Sequence, residues 1–260
     1  KKMLGITPYR VSTITCNGDI GANVNLRKFF EHLPIESIQD LQQRETRGFV
    51  WAQYEFNDHR GIYPKKQKKK KVSKKETPTS FDNQVTVIYY IKDTYMPNVK
   101  LFKNGNIHMT GVRNKADGDI IVKTMADAVR TIYETNSQEI LNVPGDIEKL
   151  GAKNFIIRMI NSDFSIPFRI RRKELHMLLI SQAYSNLSSF QPGTYPGVKV
   201  QYFYNKRNGN ELQNGVCQCK TLCDGKGISG ACKKVTIAIF ESGKILITGA
   251  NDFDQVDEAY

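Results

Sequence analysis

The chain has no apolar run long enough to cross a bilayer. Its longest, such as Val85–Ile91, reach six or seven residues with Thr86 inside, where a spanning helix needs about 20. The first eleven residues hold two lysines but no apolar stretch of secretory length, so no signal peptide is expected there. Histidines are few and scattered (His32, His59, His108, His176), with no two at metal-ligand spacing. No nucleophile elbow, phosphate loop or paired-carboxylate motif stands out, so no enzyme is expected. Cysteines number five, an odd count; four crowd into Cys217–Cys232 and Cys16 stands alone. A secreted disulfide scaffold spreads its cysteines through a shorter chain, so a reducing, intracellular compartment is expected. Acids are short relative to bases: Lys+Arg 38 against Asp+Glu 26 gives +12 over 260 residues. With 40% hydrophobic and 25% charged residues the composition is that of an ordinary globular protein.

The charge excess is local. Eight lysines lie between Lys65 and Lys75 with no acid among them, leaving +4 for the rest. The surrounding stretch, about 57–82, has little apolar content and reads as a disordered loop. Two roles stay open for the run: a solvated loop that doubles as a nuclear-import signal, or non-specific phosphate contact. No aromatic residue interleaves the lysines, so there is no platform for stacking bases.

The sequence repeats. Leu101-Phe102-Lys-Asn-Gly105-Asn-Ile107-His-Met109-Thr110-Gly111 returns 138 positions on as Ile239-Phe240-Glu-Ser-Gly243-Lys-Ile245-Leu-Ile247-Thr248-Gly249. Both copies read as a strand ending in Phe, a tight turn closing on Gly, and a second strand of alternating residues. Thr13–Asp19 and Ile157–Asp163 form a second matched pair, each leading into a basic helical stretch, Leu26–Leu33 and Ile170–Ile180. A tandem duplication accounts for both pairs. The expected halves are residues 1–135 and 154–260, joined by a polar linker at 136–153. The first carries the lysine loop, the second a Cys/Gly-rich insertion near 205–232. A helix is expected over Asp119–Glu134, from apolar positions three and four apart. The Val, Ile, Tyr and Phe runs call for sheet. The fold class is therefore α+β: antiparallel sheet with helices on one face and the other left for a ligand.

The repeated Phe-x-x-Gly-x-x-x-x-Thr-Gly, Tyr195-Pro-Gly preceded by Ser189-Phe-Gln-Pro, and Asp163-Phe-Ser-Ile-Pro167-Phe-Arg-Ile170 resemble the TATA-box-binding protein family. The resemblance covers most of 155–260, and 11–33 and 99–134 in the first half. The two insertions look like those of homologues in large cytoplasmic DNA viruses such as the asfarviruses. The resemblance implies a pseudo-twofold saddle of two tandem halves, its curved antiparallel sheet on the DNA minor groove and its helices on the convex face. It also implies a transcription initiation factor that binds and bends A·T-rich double-stranded promoter DNA. The implied partners are a virus-encoded initiation factor and RNA polymerase, with no membrane, and the implied state is a monomer. The implied location is the host cytoplasm at viral replication sites, with packaging in the virion as a variant.

Phe102, Phe240 and Tyr195 match the family's wedge positions. The fourth wedge falls on Phe49 by distance after the first helix, or on Gln84 if Val85–Ile91 is the strand in question. Alternation from Phe240 puts Lys244, Leu246 and Thr248 on the DNA side, with Ile245 and Ile247 inward. In the first half Asn106, His108 and Thr110 take the corresponding places, with Ile107 and Met109 inward. Where the family reads base edges with an Asn in each half, this sequence has Thr13 and Ile157. Isoleucine offers no hydrogen bond, so shape is expected to matter more than a strict TATA element. Gln191-Pro-Gly193-Thr-Tyr195 replaces the acidic residues with which cellular members bind their recruiting factor, which points to a different partner.

Cys217-x-Cys219-x3-Cys223-x8-Cys232 places four thiols within sixteen residues, among Gly225, Gly227 and Gly230. Four soft ligands on a flexible chain suit a structural zinc ion; disulfides or free thiols are the competing reading. Gly225-Lys-Gly227-Ile-Ser-Gly230 also matches a dinucleotide-binding pattern, but it precedes a strand rather than a helix, and that reading fails. Two other functions remain open: an interaction scaffold of the transcription machinery, and a DNA enzyme of base-excision type.

Overall fold

In the computed structural model, which describes residues 5–55, 58–64, 83–181, 187–208, 213–217, 219, 223–228 and 231–260, the chain begins with strand β1 (Arg10–Asp19). Two short helices follow, α1 (Leu26–His32) and α2 (Ile38–Gln43). Asn25 and Ser37 cap them, their side chains accepting the N–H groups of Lys28 and Asp40. Then come β2 (Gly48–Tyr54), β3 (Asp58–Gly61), β4 (Gln84–Tyr90), β5 (Asn98–Phe102), β6 (Asn106–Val112) and the long helix α3 (Lys115–Thr135). Helix α3 starts four residues ahead of the expected Asp119 because Asn114 caps it, accepting the Asp117 N–H. The lysine run lies outside the described residues.

The chain divides into two compact units, Thr15–Ile156 and Lys1–Ile14 together with Ile157–Tyr260. In the first, the strands neighbour one another in the order β3-β2-β4-β5-β6-β1. Val85, Val87, Val99, Leu101, Ile107 and Met109 are buried on one face. Helix α3 lies against that face with Ile121, Met125, Val129 and Ile132, and the Tyr89 hydroxyl is 3.4 Å from that of Thr124 on α3. Residues 136–153, expected as a linker, instead form two 3-10 turns, Gln138–Ile140 and Pro144–Glu148. They bury Ile140, Leu141 and Leu150 in the first unit.

The second unit holds β7 (Lys153–Ser165), α4 (Arg172–Ile180), β8 (Ser188–Ser189), β9 (Val198–Tyr204), β10 (Lys233–Ile239), β11 (Lys244–Ala250) and α5 (Phe253–Ala259), with strand order β7-β11-β10-β9-β8. The start of the chain packs here rather than with the first unit. The Thr7 N–H donates to the Ser165 carbonyl at 3.0 Å and the Tyr260 hydroxyl to the Thr7 carbonyl at 3.0 Å.

The duplicated hairpins share backbone geometry as well as sequence. Gly105 and Gly243 have φ of +82° and +81°, a left-handed conformation that glycine enters without steric cost. Both press on backbone: an added Cβ would meet the Ala22 carbonyl oxygen at 2.3 Å in one copy and that of Phe168 at 2.5 Å in the other. No side chain fits either turn.

Candidate nucleic-acid interface

Register shows which side chains share the free face of each unit. In the first, Gln84 pairs with Phe102, Thr86 with Lys100, Lys100 with His108 and Asn98 with Thr110. Antiparallel partners point to the same side, so Phe102, His108 and Thr110 lie together, opposite the buried Ile107 and Met109, as alternation predicts. His108 Nδ1 is 2.9 Å from the Asn17 side-chain oxygen. Burial and the Lys100 ammonium lower its pKa, so the ring is neutral at neutral pH.

The outer end of that face is covered. Trp51 pairs with Ile88, and Ile88 and Tyr90 alternate with Thr86 onto the same side. Leu41 of α2, Val50 and these three form a buried apolar cluster, with Tyr63 against Trp51 at 4.9 Å between ring centroids. The polar strip from Gln84 to Thr110 is what remains for a ligand.

In the second unit Ala238 pairs with Leu246 and Lys199, and Thr236 with Thr248 and Gln201. Lys244, Leu246 and Thr248 are half-buried while Ile245 and Ile247 are buried, again the expected alternation. Tyr195 and Phe240 come together at the end of this face, their half-buried rings 5.7 Å apart and tilted by 59°. Lys199 Nζ sits over the Tyr195 ring, 4.2 Å from its centre. Such a ring pair at a sheet end can enter a groove and separate two stacked bases.

Phe49 is not part of this surface, and its choice as fourth wedge is corrected. It is 3% exposed and packs edge-on against Tyr89 at 5.2 Å. The cause is a β-bulge between Phe49 and Trp51, which turns Phe49 to the helix side and Trp51 to the other. Gln84, the other residue considered for that place, lies directly across from Phe102. Phe49→Ala is therefore expected to cost about 3–5 kcal/mol of stability, as for other core phenylalanines, in urea unfolding. An unchanged unfolding midpoint would put Phe49 back on the surface. Thr13 and Ile157 are half-buried in β1 and β7.

Sequence reading missed Asp163. It pairs with Leu246 and so shares its face, yet its side chain is only 8% exposed. Burial raises its pKa, but hydrogen bonds from Ser12, Lys244 and Arg10 outweigh this and hold it at about 2. A lone acid between Ser162 and Phe164 in a strand was the available signal.

The four thiols of the Cys/Gly insertion converge at the end of β9 and β10 away from Tyr195. Their sulfurs all lie within 4.8 Å of one another. Tetrahedral zinc with bonds of about 2.3 Å needs sulfurs about 3.8 Å apart, and the Cys219 and Cys232 sulfurs are 3.5 Å apart, so shifts of about 1 Å would complete the tetrahedron. Two donors face the sulfurs: the Gly225 N–H donates to Cys223 Sγ at 3.4 Å and the Asn205 amide to Cys232 Sγ at 3.5 Å. All four cysteines are unbridged, and the cluster can hold a metal ion.

No family model matches the chain. A curated protein described as TATA-box-binding protein-like, from Acanthamoeba polyphaga mimivirus, is 27% identical over 266 aligned residues, which take in the whole chain and 65% of the relative. The chain thus spans about two thirds of the length of that relative. Among solved structures, Methanococcus jannaschii TBP aligns with a TM-score of 0.50 over 97% of this chain and 94% of its own, at 13% identity. The fold is that of TBP, and the sequence resembles a viral TATA-box-binding protein-like protein along its whole length. Neither relative is named as an enzyme.

Proposed function

We propose that this chain is a DNA-binding transcription initiation factor that binds and bends A·T-rich promoter DNA through the minor groove, in the service of viral gene expression. The observation that carries this reading is the Tyr195–Phe240 ring pair at the end of a sheet face rich in hydroxyl, amide and aliphatic groups. The A·T minor groove offers acceptors and few distinguishing donors, so its reader needs weakly polar surface and wedges rather than a dense hydrogen-bond code. The partners on this reading are a virus-encoded initiation factor and RNA polymerase, and the protein acts as a monomer. The four-cysteine site holds a structural zinc ion that ties off the β9–β10 insertion, with no part in base reading.

The test is electrophoretic titration of the protein with short duplexes of equal length, one rich in flexible A·T steps and one G·C-rich. The A·T duplex should bind more tightly and migrate as bent DNA, with affinity falling steeply as salt rises. Deleting Lys65–Lys75 should flatten the salt slope and leave the preference in place, since phosphate contacts carry no sequence information. A protein that shifts neither duplex overturns the reading. That result would favour an interaction scaffold, for which the exposed Phe168, Met177 and Leu178 on and beside α4 speak.

A further inference from the structure

Three donors converge on the buried carboxylate of Asp163. Ser12 donates its hydroxyl to one oxygen at 2.6 Å, while Arg10 Nε and Lys244 Nζ donate to the other at 3.0 and 2.9 Å. The carboxylate is almost wholly buried, but the Arg10 side chain is 75% exposed and that of Lys244 44%. An acid on a face that meets DNA has the wrong sign for phosphates, so its role has to be sought in what it holds. Both cations have long stems that would reach a phosphate if released. They do not leave freely, because withdrawing them strands a buried charge, a loss much larger than that of an exposed ion pair.

We propose that Asp163 is a specificity-determining positioning residue, which holds the cationic groups of Arg10 and Lys244 against the sheet and so withholds them from DNA phosphates. Groove shape, rather than indiscriminate charge, then decides which duplex is bound. This inference rests on the DNA-binding reading above.

The experiment measures binding of the full chain to the same A·T-rich and G·C-rich duplexes over a series of salt concentrations. Asp163→Asn keeps the shape and an acceptor for Ser12 but removes the charge. It should tighten G·C binding about tenfold or less, lower the A·T-over-G·C ratio, and steepen the salt slope by about 0.9 for each cation released. Loss of a merely structural residue would instead weaken both duplexes together. Arg10→Ala in the otherwise native protein should leave the slope unchanged, whereas in the Asp163→Asn background it should remove about 0.9. Should Asp163→Asn not fold, Arg10→Ala decides alone: a drop of about 0.9 in the native background means the guanidinium already touches phosphate, and overturns the proposal. If the native protein binds neither duplex, the DNA-binding reading falls and this inference with it. If it binds and Asp163→Asn changes neither slope nor ratio, only this inference falls.

Discussion

Replacing Tyr195 and Phe240 together with alanine should remove most of the DNA bend while the protein stays folded. Each ring is half-buried and tilted against the other, so the stability loss should stay below the about 3–5 kcal/mol of a fully buried core phenylalanine. On the DNA side each lost aromatic–base stack should cost about 1–3 kcal/mol, about thirtyfold in affinity for each ring at the middle of that range. Förster transfer between dyes at the two ends of an A·T-rich duplex reads the bend, and a thermal melt of the free protein reads the fold. A double variant that melts early yet bends DNA like the parent would make these rings core residues. In the first unit Phe102 lies directly across from Gln84, and Phe102→Ala should likewise lower affinity through one lost aromatic–base stack.

The second large effect concerns the metal. Protein purified without chelator should carry about one zinc per chain. Structural zinc contributes about 10–16 kcal/mol of apparent binding energy in small four-ligand sites. Cys232→Ser should therefore lose the ion outright, since a hydroxyl is a poor substitute for a thiolate. Burial, together with the neighbouring Cys219, Cys232 and Cys223 thiols, pushes the Cys217 thiol up to about 12. Without metal this thiol keeps its proton at neutral pH. Zinc must displace protons to bind, so binding should release them and weaken as pH falls. Elemental analysis and proton release in unbuffered solution measure both. The β2–β6 sheet and α3 should melt unchanged, because the cluster lies in the other unit. A metal-free preparation with four freely titrating thiols would rule the site out.

Much of this surface was legible in the sequence because its signals are local. A turn closing on glycine, a two-residue alternation and four closely spaced thiols each depend on neighbours a few positions away. The hairpins around Gly105 and Gly243, the inward Ile107, Met109, Ile245 and Ile247, and the convergence of Cys217, Cys219, Cys223 and Cys232 all appear where those patterns put them. Helix α3 differed only at its start, where the cap at Asn114 outweighed the apolar period.

What the chain alone left undecided are pairings between distant residues. The position of Phe49 turned on one bulge, and a single-residue slip exchanges the two faces of a strand; no local pattern marks it. Gln84 meets Phe102 only because β4 and β5 pair in that register. Residues 136–153, polar enough to pass for a linker, bury Ile140, Leu141 and Leu150 once α3 and β1 give them a surface. Asp163 became a charge hub because Arg10 and Ser12, about 150 positions earlier, pack beside β7 while Lys244 reaches it from β11. Hydrophobic period and turn chemistry follow from the backbone of one segment. Burial of a charge, or of one aromatic ring rather than another, depends on which segments meet, and only the tertiary structure decides that.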